Sequence, residues 1–336
     1  MKSSIIFSCY SVSASKNTMV VLALLLLLAL PQGPLLRAQS AAHSSHKKSA
    51  VAKHSLRIEH DDQNRVITVY RDNEKTPILT ENAYDDTRPY IHPIVAPDGK
   101  GLITEFRPAH HPHQMGIFWG LKMVNGQDFF MRWQNDHYRK VSARVIEPEG
   151  QVVRWQTVYD MLDEKGATVM TETQNWSMQV IDGRYILDLQ WQGQAKTHIT
   201  FGKYYVSGLF VRMPWHAGLR AEAVNSNGMR NQDAEAQRAK WVDMGIQEDG
   251  RDDPAHIVIF DYPGNEGFPG SWRVDEQFGF GPNRSWREWK MEKDQTETLR
   301  YRLMVYTGKI RRHQSGGSLQ SIHECEISEY PKLSVI

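Results

Sequence analysis

"ATVMTETQNWSMQVIDGRYILDLQWQG", residues 167–193, is the stretch whose reading decides the fold. On both sides of Asp182-Gly183, apolar and polar side chains alternate. Val, Ile, Thr, Tyr and Trp dominate. Period-two patterning with β-branched and aromatic residues marks half-buried antiparallel strands. A two-residue Asp-Gly connection marks a tight hairpin, because both turn positions need positive φ. The stretch therefore predicts two long paired strands, 167–181 and 184–193.

The same signal repeats in both directions. Residues 154–162 precede the hairpin, with Pro148-Glu149-Gly150 before them and Asp163-Glu164-Lys165-Gly166 after. Residues 65–70, 115–124, 208–215, 256–262 and 298–308 read as further strands. Helical signal is sparse. Residues 233–241 predict one short helix, and 318–327, after Gly316-Gly317, a second. Many strands, few helices and no internal repeat predict an all-β fold, a large antiparallel β-sandwich with few short helices. Residues 55–310 read as one domain, with 311–336 as a tail carrying the short helix.

The chain's start is not fold. Lys2 and Lys16 precede the apolar run at 19–30. Pro31 and Gly33 follow, and small residues at Ala38, Ala41 and Ala42 offer cleavage sites. That order predicts a signal peptide over 1–38. The run is shorter than the about 20 residues a span needs. A polar leader, 39–54, follows. The whole chain carries net charge +1, and loss of Lys2, Lys16 and Arg37 brings it to −2. That balance argues against nucleic acid or an anionic membrane as partner. Of Cys9 and Cys325, only Cys325 would survive cleavage, so no internal disulfide forms. An exported protein without disulfides fits a periplasmic or secreted location with a large core. The oligomeric state is not readable.

Chemistry concentrates at "RPAHHPHQMGIFWG", residues 107–120. Pro108 and Pro112 bracket His110 and His111 and disfavour helix, so the histidines lie on a stiff loop feeding a strand. Imidazole titrates near neutral pH and exchanges protons readily. It also ligates metals. The spacing matches no standard zinc pattern. Three readings stay open: structural histidines, acid–base groups at His111 and His113, and a divalent metal on His110, His111 and His113. His92, between Ile91 and Pro93, is a third catalytic candidate.

Other stretches supply binding candidates. Arg212 lies inside the apolar run 208–215, where an unpaired charge is costly. It is either a paired structural arginine or a ligand-facing one. Residues 237–245 add Arg238 and Trp241. Residues 259–274 add Asp261 and Trp272, and Asn125 follows the histidine strand. Trp155, Trp176 and Trp191 read as core. Trp119, Trp241 and Trp272 are the candidates for stacking on sugar rings. No nucleophile elbow, P-loop or dinucleotide fingerprint occurs in a fitting context.

Taken together, "RPYIHPIVAPDG", "HHPHQMGIFWG" with "VNGQDFF", "GLFVRMPW", "RAKWVDMG", "IFDYPGN" and "LRYRLMVYTG" resemble the bacterial family DUF6807. Its members often carry the label PmoA, or methane oxygenase. The resemblance covers nearly all of the expected mature chain. Relatives carry another His and an Arg where this chain has Gln114 and Met115, which interrupts a wider histidine set. The oxygenase label implies several membrane-spanning helices, and this chain has one short apolar run. The company such relatives keep, with polysaccharide-degrading systems, implies carbohydrate as ligand. The expectation is an enzyme acting on a glycoside or modified sugar, a lyase or hydrolase. In it His111, His113 and His92 move protons. Arg212, Asp261, Asn125, Arg238, Trp119, Trp241 and Trp272 bind substrate. The alternatives are a non-catalytic carbohydrate-binding protein and a metal-dependent oxidase.

Overall fold

In the computed structural model, residues 54–133, 137–248 and 250–308 are described. Their strands form two large antiparallel sheets, as the alternating runs predict. One sheet has eight strands. In spatial order they are Arg220–Asn225, Trp241–Gln247, Ala255–Asp261, Thr296–Thr307, Arg184–Ala195, Thr168–Ile181, Val152–Leu162 and Tyr138–Glu147. The other has nine. Its order is Ser271–Val274, Gly279–Asn283, Gly208–Arg212, Ile117–Gly120, Tyr90–Ile94, Pro77–Asn82, Val66–Arg71, Leu56–Asp61 and Glu149–Gly150. A small pair, Ile199–Phe201 with Trp289–Met291, stands apart from both.

The opening hairpin is as the sequence predicts. Asp182 and Gly183 have φ of 49° and 74°, the positive pair a tight two-residue turn needs. Pairing runs without a slip from Arg184 opposite Ile181 to Ala195 opposite Met170. Along the neighbouring strand, Val153, Trp155, Thr157, Tyr159 and Met161 are buried in alternation. Trp155 and Trp176 stack across the strand pair, with centroids 6.2 Å apart. Trp191 stacks on Trp119 of the other sheet at 4.4 Å, so the two sheets share one core.

That core contains two carboxylates. Trp155 Nε1 donates to Glu81 Oε2 (3.2 Å), and Trp191 Nε1 donates to Glu172 Oε2 (2.9 Å). Burial pushes Glu81 up to about 8 and Glu172 up to about 7.

Two local expectations change. The helix expected at 233–241 is a 3-10 turn, Asn231–Ala234, followed by the strand Trp241–Gln247. Val242, Met244 and Ile246 enter the main core, while Trp241 enters a second cluster with Ile186, Val258, Phe260 and Met304. A strand buried on both faces shows no alternation to read. The strand Tyr138–Glu147 was not expected either. It is a sheet edge, and its exposed Arg139 and Arg144 mask the pattern. The expected signal segment, the leader up to residue 53 and the C-terminal tail with its helix lie outside the described residues. Among the described residues, no helix is long and apolar enough to cross a membrane.

Candidate functional site

The histidine loop closes on itself between an isolated bridge, Phe106 with Met115. Arg107 N donates to Gln114 O (2.8 Å), His111 N to Pro108 O (2.9 Å), and Gln114 N to His111 O (3.0 Å). Gly116 then turns the chain into the strand Ile117–Gly120. Its φ is +53°, and a Cβ there would sit 2.1 Å from Ile91 O, so the turn requires glycine. The loop docks on the strand Gly208–Arg212: Arg212 N donates to Gly116 O (2.8 Å) and Glu105 N to Arg212 O (3.0 Å).

Two buried arginines fix the loop from beneath. Arg88 donates to the carbonyls of Phe130 (2.6 Å) and His113, and its guanidinium lies 3.7 Å from the Phe118 ring centre. It thereby ties the histidine loop to the segment facing it. Arg212 has all three guanidinium nitrogens committed. They bond Gln114 Oε1, Gln277 O and Asp275 Oδ2, the last at 3.2 Å. Arg212 is therefore a paired structural arginine that orients the site floor, not a free ligand-facing one.

Above this floor lies a cavity of about 350 Å³. This is at the small end of ligand pockets, which run roughly 300–1,000 Å³. His110, His111, His113 and Gln114 form one wall. Lys122, Tyr205, Arg273 and Asp275 supply the other polar groups, and Phe130, Val206 and Phe210 the apolar surface. The three imidazoles pack edge to face. Ring centres are 5.1 Å apart for His110 and His111, and 5.7 Å for His111 and His113. His110 Nε2 and His111 Nδ1 are buried without a hydrogen-bond partner among the described residues. Burial, then Arg212, holds His110 and His111 below the ordinary imidazole value. Burial, then Arg88, pushes His113 down to about 4. The rings are thus neutral near pH 7 and able to accept protons. Tyr205 shifts the other way, because burial and Tyr204 favour its protonated phenol.

Several sequence candidates lie elsewhere. His92 does not line the cavity. Its Nδ1 lies 3.0 Å from Thr104 Oγ1, its ring stacks on Phe106, and burial pushes it down to about 4. Trp119, Trp241 and Trp272 are buried at 1%, 5% and 1% exposure, so none presents an indole face to a sugar. Trp272 Nε1 is also tethered to Ala239 O (2.7 Å). Asp261 is buried, pushed up to about 6 by that burial, and accepts from Asn265 Nδ2 and Gly270 N. Arg238 bonds the carbonyls of Pro269 and Gly267. Asp261 and Arg238 therefore shape the same Gly/Pro-rich loop. Asn125 holds a turn, donating to His198 O (3.0 Å) and accepting from Thr200 N (2.8 Å). Among the described residues, no group of three or more His, Cys, Asp or Glu side chains is arranged to hold a metal ion, the three histidines included.

The sequence reading passed over Lys122, Tyr205, Arg273 and Asp275. Lys122 had a signal: it interrupts the apolar run after Trp119 just as Arg212 interrupts its own. Arg273 and Asp275 come from a hairpin far away in sequence, and only the sheet order brings them here.

The model of DUF6807, described as a family of unknown function, matches residues 55–318. The chain belongs to DUF6807. The motifs that resembled this family thus lie within the matched residues. No curated protein matches the chain. Among solved structures, it is similar to a GH36 α-galactosidase from Geobacillus stearothermophilus at 8% identity and TM-score 0.39, covering 75% of this chain and 41% of that one. It is also similar to galactose 1-epimerase from Lactobacillus acidophilus at 7% identity and TM-score 0.38, covering 77% and 100%. The chain spans about two fifths of the α-galactosidase's length.

Proposed function

We propose that this DUF6807 protein is an exported carbohydrate-active enzyme that uses His111 and His113 as acid–base groups on a glycoside or modified sugar. The observation that carries this is the meeting of neutral imidazoles on one small cavity with mixed polar and apolar walls. Such walls suit a sugar, which presents hydroxyls at its rim and C–H surface on its faces. Neutral imidazole is a competent base, and a positioned base contributes about 10²–10⁴-fold to rate. Among the described residues Asp275 is the one carboxylate lining the cavity, and it is committed to Arg212 and to the backbone N–H groups of Gln277 and Gly279. Glycosidases of the common kind use two facing carboxylates. The residues present therefore favour elimination over two-carboxylate hydrolysis.

The test is a product search. Purified protein is incubated with a panel of oligosaccharides, and new species are followed by mass spectrometry. His111→Ala and His113→Ala are expected to lose turnover by about 10²-fold or more while melting near the parent temperature. Full turnover in both variants overturns these roles. Binding without product over long incubation favours the non-catalytic binding protein instead.

A further inference from the structure

The donors around the cavity are unevenly used. Arg212 has every guanidinium nitrogen in a hydrogen bond, and Arg88 turns both terminal nitrogens to carbonyls, leaving only its Nε, away from the cavity lining, without a partner among the described residues. Lys122 and Arg273 differ. Lys122 lines the cavity with its side chain only 5% exposed, and among the described residues its ammonium has one hydrogen-bond partner, Asp128 Oδ2 at 2.5 Å. An ammonium carries three donors, so two remain. Arg273 also lines the cavity and, among the described residues, its guanidinium bonds only Glu235 Oε1, at 2.8 Å, through Nη1. Most of its five-donor fork is unspent.

The two cations flank one aromatic pair. Lys122 Nζ lies 4.7 Å from the Tyr204 ring centre, and Arg273 Cζ lies 5.4 Å from that of Tyr205. The two tyrosine rings are 4.6 Å apart. A buried ammonium with unused donors, as at Lys122, is costly unless a partner completes it, while Arg273 is partly exposed and can reach a ligand at the rim. The facing carboxylate, Asp275, is turned to Arg212. Lys122 is ion-paired with Asp128 and Arg273 with Glu235, so what each offers a ligand is the donors its ion pair leaves over, and a carboxylate is the strongest acceptor a sugar can bring to them.

We propose that the cavity takes a sugar bearing a carboxylate, a uronate, with that carboxylate held between Lys122 and Arg273. This rests on the carbohydrate reading above and names its substrate class. It also fits elimination chemically. In a uronate glycoside the C–H beside the carboxylate is the acidic one. Neutral imidazole takes that proton, and its electron pair becomes the C=C bond as the adjacent C–O bond breaks. The leaving oxygen takes a proton from the Tyr205 hydroxyl, and solvent restores both groups. Charge that builds on the carboxylate in the transition state is met by Lys122 and Arg273. The products are an unsaturated uronate and an alcohol, and no co-reactant is consumed.

Calorimetry with galacturonate, galactose, glucuronate, glucose, galactose 6-sulfate and acetate tests the assignment. At least one uronate is expected to bind about tenfold tighter than its neutral counterpart, a difference of roughly 1.4 kcal/mol. The preference should vanish in Lys122→Met and in Arg273→Gln and persist in His111→Ala. Arg273 is partly exposed, so its variant reports even if Lys122→Met fails to fold. Equal binding of acid and neutral sugar overturns the uronate assignment and leaves the carbohydrate reading standing. A preference that survives both cation variants also overturns it. Tighter binding of the sulfate ester than of any uronate replaces carboxylate by sulfate and removes the elimination step. Binding of acetate with no sugar bound at all overturns both readings.

Discussion

Two of the sets of ionisable groups buried in this molecule are placed differently. Glu81 and Glu172 lie between the sheets, and each accepts an indole N–H. Their role is to satisfy tryptophans that the core needs for volume. His110 and His111 lie at the cavity wall, and each keeps a buried ring nitrogen with no partner among the described residues. Unpaired buried polar atoms cost stability, roughly 1–3 kcal/mol each. A fold that keeps them beside a cavity retains them for what enters it. Satisfaction alone does not divide the two sets, since Glu81 Oε1 is also buried without a partner among the described residues; position beside the cavity does.

The strongest challenge to that division is at Arg212, which touches both. It is fully buried and braces Gln114 and Asp275, yet it does not line the cavity. Arg212→Met should strand a buried carboxylate and cost about 3–5 kcal/mol. His111→Ala, which removes no protein hydrogen bond of the ring, should stay within about 1 kcal/mol of the parent. Urea unfolding of both variants decides. Similar losses in the two would erase the distinction between supporting and reacting residues.

A smaller effect should appear in the pH dependence. Folded Glu81 keeps its proton up to about 8, against an ordinary value of 4.5. The stability linked to it is therefore complete below about pH 4.5 and is lost as pH rises through about 8. His113 runs the other way: its contribution is present above about pH 6.5 and is lost as pH falls through about 4. Glu81→Gln cannot ionise. Between about pH 5 and pH 6.5 the variant should gain about 2 kcal/mol relative to the parent. Parallel curves from chemical denaturation at the two pH values would show that Glu81 does not titrate in the folded state.

How far the sequence reached follows from the range of its signals. The hairpin at 167–193 was legible because its turn and its alternation are both local. The histidine loop was legible as a stiff, proline-bracketed segment, and three of its histidines do meet at one cavity. The tryptophans misled because position on a strand end or loop says nothing of depth. Trp119 lies within the expected strand 115–124, where sequence does not say which face meets the core, and it is a core residue. The far wall was hidden for a different reason. Tyr205 and Arg273 approach the loop only through the order of strands in the nine-stranded sheet, which no local pattern encodes.

The smallest expected effect is the sharpest check on that lesson. Asn125 was a binding candidate, because a polar residue follows the histidine strand. In the fold it has φ of 51° and bridges His198 O and Thr200 N, outside the cavity. Asn125→Gly keeps the positive φ at no steric cost and removes two partly exposed hydrogen bonds. The net change in stability should be about 1 kcal/mol or less. Affinity for any sugar the parent binds should stay the same, as read by the same calorimetric titration. A tenfold loss of affinity would mean that the turn carrying Asn125 reaches the ligand, and that the cavity between the histidines and Arg273 is only part of a longer cleft.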